Sequence, residues 1–237
     1  MNGKIIRLVW IATATSIASA SAALAQAPVS SPTPPGALQL PETRGTVERF
    51  TLTPIGELDG VILADGTEVH LPPHLTAQLA SAVRLGDTVT VQGYWSAYVP
   101  LIVAASITDA ATGQTVVDSG PPPPGSRPPP PPPGMPAAGA QQVTAQGKVQ
   151  RQLYGPDING ALLDDGTIVR IGPREAYPIA SWLNPGQPLA AQGWGLTTPY
   201  GKVVDAQAVG PTTDQMVQVA PPAPAFGPAR PPRRDKG

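Results

Sequence analysis

Residues 59–75 read DGVILADGTEVHLPPHL, and residues 159–175 read NGALLDDGTIVRIGPRE. Gly60, Asp65, Gly66, Thr67, Val69, Gly86, Gln92 and Gly93 recur 100 positions later as Gly160, Asp165, Gly166, Thr167, Val169, Gly186, Gln192 and Gly193. Upstream the offset is 102, matching Gly45, Val47 and Arg49 to Gly147, Val149 and Arg151. So many matches in one order mark a duplicated domain. Whatever one copy folds into, the other must fold into as well. Each copy is long enough to close a small core alone, so the pair is not a solenoid.

The flanking composition bounds the copies. The chain holds 33 prolines and 25 glycines, well above ordinary usage, and the prolines are concentrated outside the repeats. The segments predicted are residues 26–42, 111–142 and 211–237, separating copies at 43–110 and 143–210. The middle segment carries runs of four and six prolines, which favour polyproline II and make a semi-rigid spacer. The last segment is Pro- and Ala-rich and ends with Arg230, Arg233, Arg234 and Lys236. Residues 1–25 read as an export signal. Lys4 and Arg7 precede a short apolar stretch, and Ala23-Leu24-Ala25 is an A-x-A cleavage site. The expected address is therefore outside the cytoplasm, the periplasm if the source is Gram-negative. There is no cysteine, so neither disulfides nor a cysteine-based metal site or nucleophile is available.

Within copy one, RGTVERFTL, GVILA and TEVHL read as three strands, the last two joined at Asp65-Gly66, a strong hairpin signal. Leu75, Leu79 and Val83 follow at helical spacing. TVTVQGYW and LIVAASIT are strands four and five. Copy two repeats the order, with Pro178 shortening or distorting its helix. Five strands with a helix between the third and fourth resemble the OB-fold, a small Greek-key barrel, and Gly93 and Gly193 fit its habit of bending strands at glycine. The chain is also similar to exported bacterial tandem OB-fold proteins. The fold class expected is mostly β: two five-stranded OB-like barrels, each with a short helix, joined by a Pro-rich linker. A pair of SH3-like barrels is the alternative, although these usually lack the helix.

The OB resemblance implies a ligand face on strands two and three, helped by neighbouring loops. A two-residue turn at Asp65-Gly66 puts Ile62, Val69 and Leu71 toward the core and Val61, Leu63, Glu68 and His70 outward. In copy two Ala161, Leu163, Ile168 and Arg170 then face outward. A three-residue loop with a bulge would shift this assignment. The candidate ligand-binding strip is Leu63, Glu68, His70, Leu163, Ile168 and Arg170, edged by Tyr94, Trp95, Tyr98, Trp194 and Tyr200. Aromatic faces suit sugars, bases or peptide side chains. His70 and His74 are separated by Pro72-Pro73 and replaced by Arg170 and Arg174 in copy two, so no metal is expected. A group that donates hydrogen bonds at both positions suits an anion.

No cofactor motif is present. Gly193-Trp194-Gly195 begins like a dinucleotide loop, but its third glycine position is Thr198 and a strand surrounds it. No nucleophile–base spacing points to an enzyme. Nucleic acid is disfavoured: copy one has Arg44, Arg49 and Arg84 against Glu48, Glu57, Asp59, Asp65, Glu68, Asp87 and Asp109. The expectation is a non-enzymatic exported envelope protein that binds an oligosaccharide, a peptide or a small anionic ligand. The alternatives are a scaffold acting through its Pro-rich segments and, less favoured, a nucleic-acid-binding OB protein.

Overall fold

A computed structural model describes residues 40–126, 136–155 and 157–219. Residues 1–25, most of the first Pro-rich segment, the long proline run and residues 220–237 lie outside these residues. The first barrel is built from β1 (Glu42–Leu52), β2 (Leu58–Leu63), β3 (Glu68–His70), α1 (Thr76–Ala82), β4 (Thr88–Trp95) and β5 (Leu101–Asp109). Hydrogen-bonded neighbours run β3-β2-β1-β4-β5, and β3 pairs with β5 in parallel, which closes the barrel. A short strand, β6 (Thr115–Val117), adds to the outer edge of β5.

The second barrel repeats every step. It comprises β7 (Gln141–Tyr154), β8 (Ile158–Leu163), β9 (Thr167–Arg170), α2 (Pro173–Ala176), β10 (Pro188–Thr198) and β11 (Gly201–Gly210), with β12 (Val217–Gln218) on the edge of β11. Parallel pairing of β9 with β11 closes it. Both barrels are therefore five-stranded, closed and mixed, each with a short helix after its third strand, as the OB resemblance implies. The edge strands β6 and β12 extend each barrel beyond the limits read from the sequence.

The helices differ for a covalent reason. In the first barrel a 3-10 turn over Pro73–Leu75 leads into α1, and Leu75, Leu79 and Val83 are buried. In the second, Pro178 has no amide hydrogen to donate, so α2 gives way to 3-10 turns over Tyr177–Leu183. Ile179 and Leu183 still reach the core. Gly93 and Gly193 sit at the register shifts of β4 and β10. A side chain at either would collide with the carbonyl of Val103 or Asp205, so the strand bends where only glycine fits.

The hairpin corrects one expectation. Leu63 N–H donates to Thr67 O at 2.8 Å and Gly66 N–H to Leu63 O at 2.8 Å. Gly66 has φ +91°. This is a three-residue loop closed by a glycine bulge, not a two-residue turn. Ile62 therefore pairs with Glu68 and Val61 with Val69. Val61, Leu63, Val69 and Leu71 point into the barrel, and Ile62, Glu68 and His70 point out. In the second barrel Ala161, Leu163 and Val169 belong to its own core, while Leu162, Ile168 and Arg170 point out. Leu63 and Leu163 are thus core residues.

Candidate functional site at the barrel junction

The outward faces of strands two and three are covered by each other. Leu153, Leu162, Ile168 and Val203 of the second barrel fall in one buried cluster with Phe50, Leu52, Leu58 and Ile62 of the first. Every residue of β2 is buried, because the barrel interior lies on one face and the second barrel on the other. The contact is reciprocal. Arg49 lies over the turn glycine Gly166, with its Nη1 2.8 Å from where a Cβ would stand. Arg151, the repeat equivalent of Arg49, lies over Gly66 with the corresponding distance 3.3 Å. Equivalent residues meeting equivalent residues in this way define a two-fold relation inside one chain.

At the centre of the contact Arg170 is 3% exposed. Its Nε donates to Leu52 O at 2.7 Å, its Nη1 to Asn159 Oδ1 at 2.7 Å and its Nη2 to Asp59 Oδ2 at 2.8 Å. Glu68, 4% exposed, accepts the Tyr154 N–H at 2.9 Å. Burial pushes the Glu68 carboxyl up to about 7, opposed by that hydrogen bond and by Arg170. Burial also lowers the half-buried His70, against the attraction of Asp59. Of the predicted strip, then, Glu68, His70, Ile168 and Arg170 are brought together, but as the seam between barrels. His74 stands apart, with its Nε2 3.9 Å from Asp118 Oδ1.

The aromatic residues separate into three places. Tyr200 closes one end of the seam: its ring meets Phe50 edge-on at 5.6 Å between centroids. It rides on the β10–β11 hairpin, which is two residues longer than the β4–β5 hairpin and brings Leu196 and Thr198 against Gly56. Trp194 is half-buried, and its Nε1 is buried with no hydrogen-bond partner. It faces Asp205, whose carboxyl is raised by burial. Tyr94 and Trp95 remain exposed on the first barrel. Opposite Val204 in the second barrel, the position of Trp95 is taken by Gly195, where a side chain would meet Val143. That mouth keeps a pocket of about 620 Å³ bordered by Val143, Thr144, Leu196 and Lys202.

The third place is the other end of the seam. There the shorter β4–β5 hairpin leaves a groove of about 450 Å³ between Tyr98 and Val99 of the first barrel and Asp157, Ile158, Pro173, Arg174 and Tyr177 of the second. Tyr98 is 95% exposed and Tyr177 is 84% exposed. Two exposed tyrosine faces, a proline, a guanidinium and the Asp157 carboxylate make a surface for an extended chain with both apolar and polar groups. Of this set only Tyr98 belongs to the candidate strip read from the sequence. Tyr177 lies in the helical segment that Pro178 breaks, so no period marks it as outward. The missed seam did leave a sequence signal: VIL and ALL are unbroken apolar runs, the pattern of strands covered on both faces.

No protein-family model and no curated protein matches the chain. Two solved structures of the single-stranded DNA binding protein from Thermus aquaticus are similar to it at 16% identity and a TM-score of 0.21. For a deletion mutant, the match covers 76% of this chain and 95% of that one. For the wild type it covers 80% and 94%.

Proposed function

We propose that this is a non-enzymatic binding protein of the cell envelope, exported by its first 25 residues, and that it takes an extended ligand in the Tyr98–Tyr177 groove. The observation that carries this reading is the inequality of the two seam ends. One is filled by the chain's own Leu196 and Tyr200, and the other presents the same kind of surface open to solvent. Tyrosine faces flanking Pro173 suit a peptide or a sugar chain, and Arg174 and Asp157 supply one donor and one acceptor for its polar groups. Glu68, which is buried, and His70, which is half-buried, are shifted by that burial, lie in the seam and support the association of the barrels rather than chemistry.

The test is calorimetric titration of the full chain with envelope peptides and glycan fragments, with single-stranded DNA as the control. Tyr98→Ala and Tyr177→Ala should each weaken binding of a positive ligand roughly tenfold, because exposed aromatic anchors carry binding energy of that order. A ligand whose affinity is unchanged by both variants binds elsewhere and sinks this assignment. A salt-sensitive response to DNA would restore the nucleic-acid reading.

A further inference from the structure

We propose that the open mouth of the second barrel is a further binding site, one that takes a single neutral sugar ring. The pocket lies at the start of β9, whereas α2 follows the end of that strand, so pocket and helix occupy opposite ends of the barrel. It shares no residue with the Tyr98–Tyr177 groove. Its volume of about 620 Å³ falls within the roughly 300–1,000 Å³ usual for small-ligand pockets.

The first barrel supplies the comparison, and strand register fixes the equivalences. Thr144 and Gln146 pair with Gln192 and Ala190, as Glu42 and Arg44 pair with Gln92 and Thr90. Gly195 pairs with Val204 as Trp95 pairs with Ile102. Val203 pairs with Ile168 as Leu101 pairs with Glu68, so Lys202 stands where the first barrel has Pro100. Between the copies an indole has become a hydrogen atom. A carboxylate and a guanidinium have become a hydroxyl and an amide, and a proline has become a lysine. All of these changes border one opening. Bulk is removed, and neutral hydrogen-bonding groups replace two charges.

The lining divides into a floor and a rim. Val143, Leu196 and Val204 supply apolar surface; Val204 is buried, and Val143 packs against Gly195. Gln141, Thr144, Gln146, Thr197 and Lys202 stand exposed around them. Among the described residues these five side chains form no hydrogen bond or ion pair within the chain. Asp165, the one carboxylate of the lining, accepts from the N–H and the Oγ1 of Thr167 at 2.8 Å each. Threonine hydroxyls and glutamine amides both donate and accept. Lys202 and Asp165 add one cation and one anion, so the lining carries no net charge. An ion of either sign meets a repelling group as well as an attracting one. A sugar ring matches both parts: its hydroxyls donate and accept at the edge, and its C–H groups lie on the apolar floor. This proposal goes beyond the groove reading and stands without it.

The test is titration of isotope-enriched full-length protein with glucose, galactose and N-acetylglucosamine, following backbone NMR shifts. The expected result is saturable shifts at Thr144, Gly195 and Lys202 with at least one of these sugars. Thr144→Glu/Gln146→Arg, which transplants the first barrel's residues, should weaken that sugar roughly tenfold. Both positions are exposed, so the variant keeps its fold. Thr197→Ala, also exposed, is the independent check and should weaken the same sugar. Absence of a saturable shift with all three sugars would overturn the proposal. So would mouth shifts that both variants leave unchanged, or shifts confined to Tyr98 and Tyr177, which would assign the sugar to the seam groove. Mouth shifts with a silent groove keep this inference and remove the groove reading.

Discussion

At the scale of single residues, Arg170 and Glu68 decide how the seam responds to change. Arg170→Ala leaves Asp59 buried and loses three hydrogen bonds, so it should cost about 3–5 kcal/mol, measured by urea unfolding. Arg170→Ala combined with Asp59→Asn should cost less than the sum, because the stranded charge is gone. Glu68 sets a pH dependence of definite sign. Its folded value is raised to about 7 from 4.5, so the folded state holds a proton that the unfolded chain releases. Stability from this group is full below about pH 4.5 and is lost as pH rises through 7, by on the order of 3 kcal/mol. Melting temperatures across that range should fall in the native protein and flatten in Glu68→Gln, whose amide oxygen still accepts from Tyr154. A native profile that Glu68→Gln leaves unchanged would remove the carboxyl from the seam, because the lowered His70 contributes a slope of opposite sign to both proteins. The individual roles of these residues were not legible in the sequence. Arg170 reads only as an outward position of the ligand strip, because its burial depends on Asp59 and Leu52, more than 110 residues away, and no local pattern encodes such a partner.

At the scale of elements, repetition made the order of strands and helices readable, and turn chemistry made their facing hard to read. Asp65-Gly66 suits both a two-residue turn and a three-residue loop, and the choice moves every side chain of β2 to the opposite face. The break in α2 was legible, because Pro178 acts through its own missing hydrogen. The reach of the β10–β11 hairpin was not, because two extra residues gain meaning only when the first barrel lies beneath them. Tyr200→Ala removes the ring from Phe50 and uncovers that end of the seam. It should cost about 2 kcal/mol, read from thermal unfolding, and leave the Tyr98–Tyr177 groove intact. A loss of only a few tenths would show that the hairpin merely rests on the first barrel.

For the molecule as a whole, the proline-rich segment joins two bodies that already hold each other. A protease site placed within residues 128–133, cut after folding, should leave both halves eluting together in gel filtration. They should separate only when urea breaks the seam. Elution as two small species would make the covalent link, rather than the shared apolar cluster and the Arg170 contacts, the chief cause of association. The same packing predicts one cooperative unfolding transition, since β2 has barrel on both faces and cannot lose either alone.

The two-fold relation between the barrels has a further consequence for how such a chain is free to vary. In a dimer of identical chains every substitution is made twice, and a bulky cation placed near the axis stands close to its own copy. Here the halves are encoded separately, so His70 and Arg170 occupy equivalent positions with different charge, and Asp59 faces a guanidinium while Asn159 serves beside it. Fusion has released the axis from symmetry. Each side of the seam has become a distinct chemical environment, and one end has closed while the other stays available.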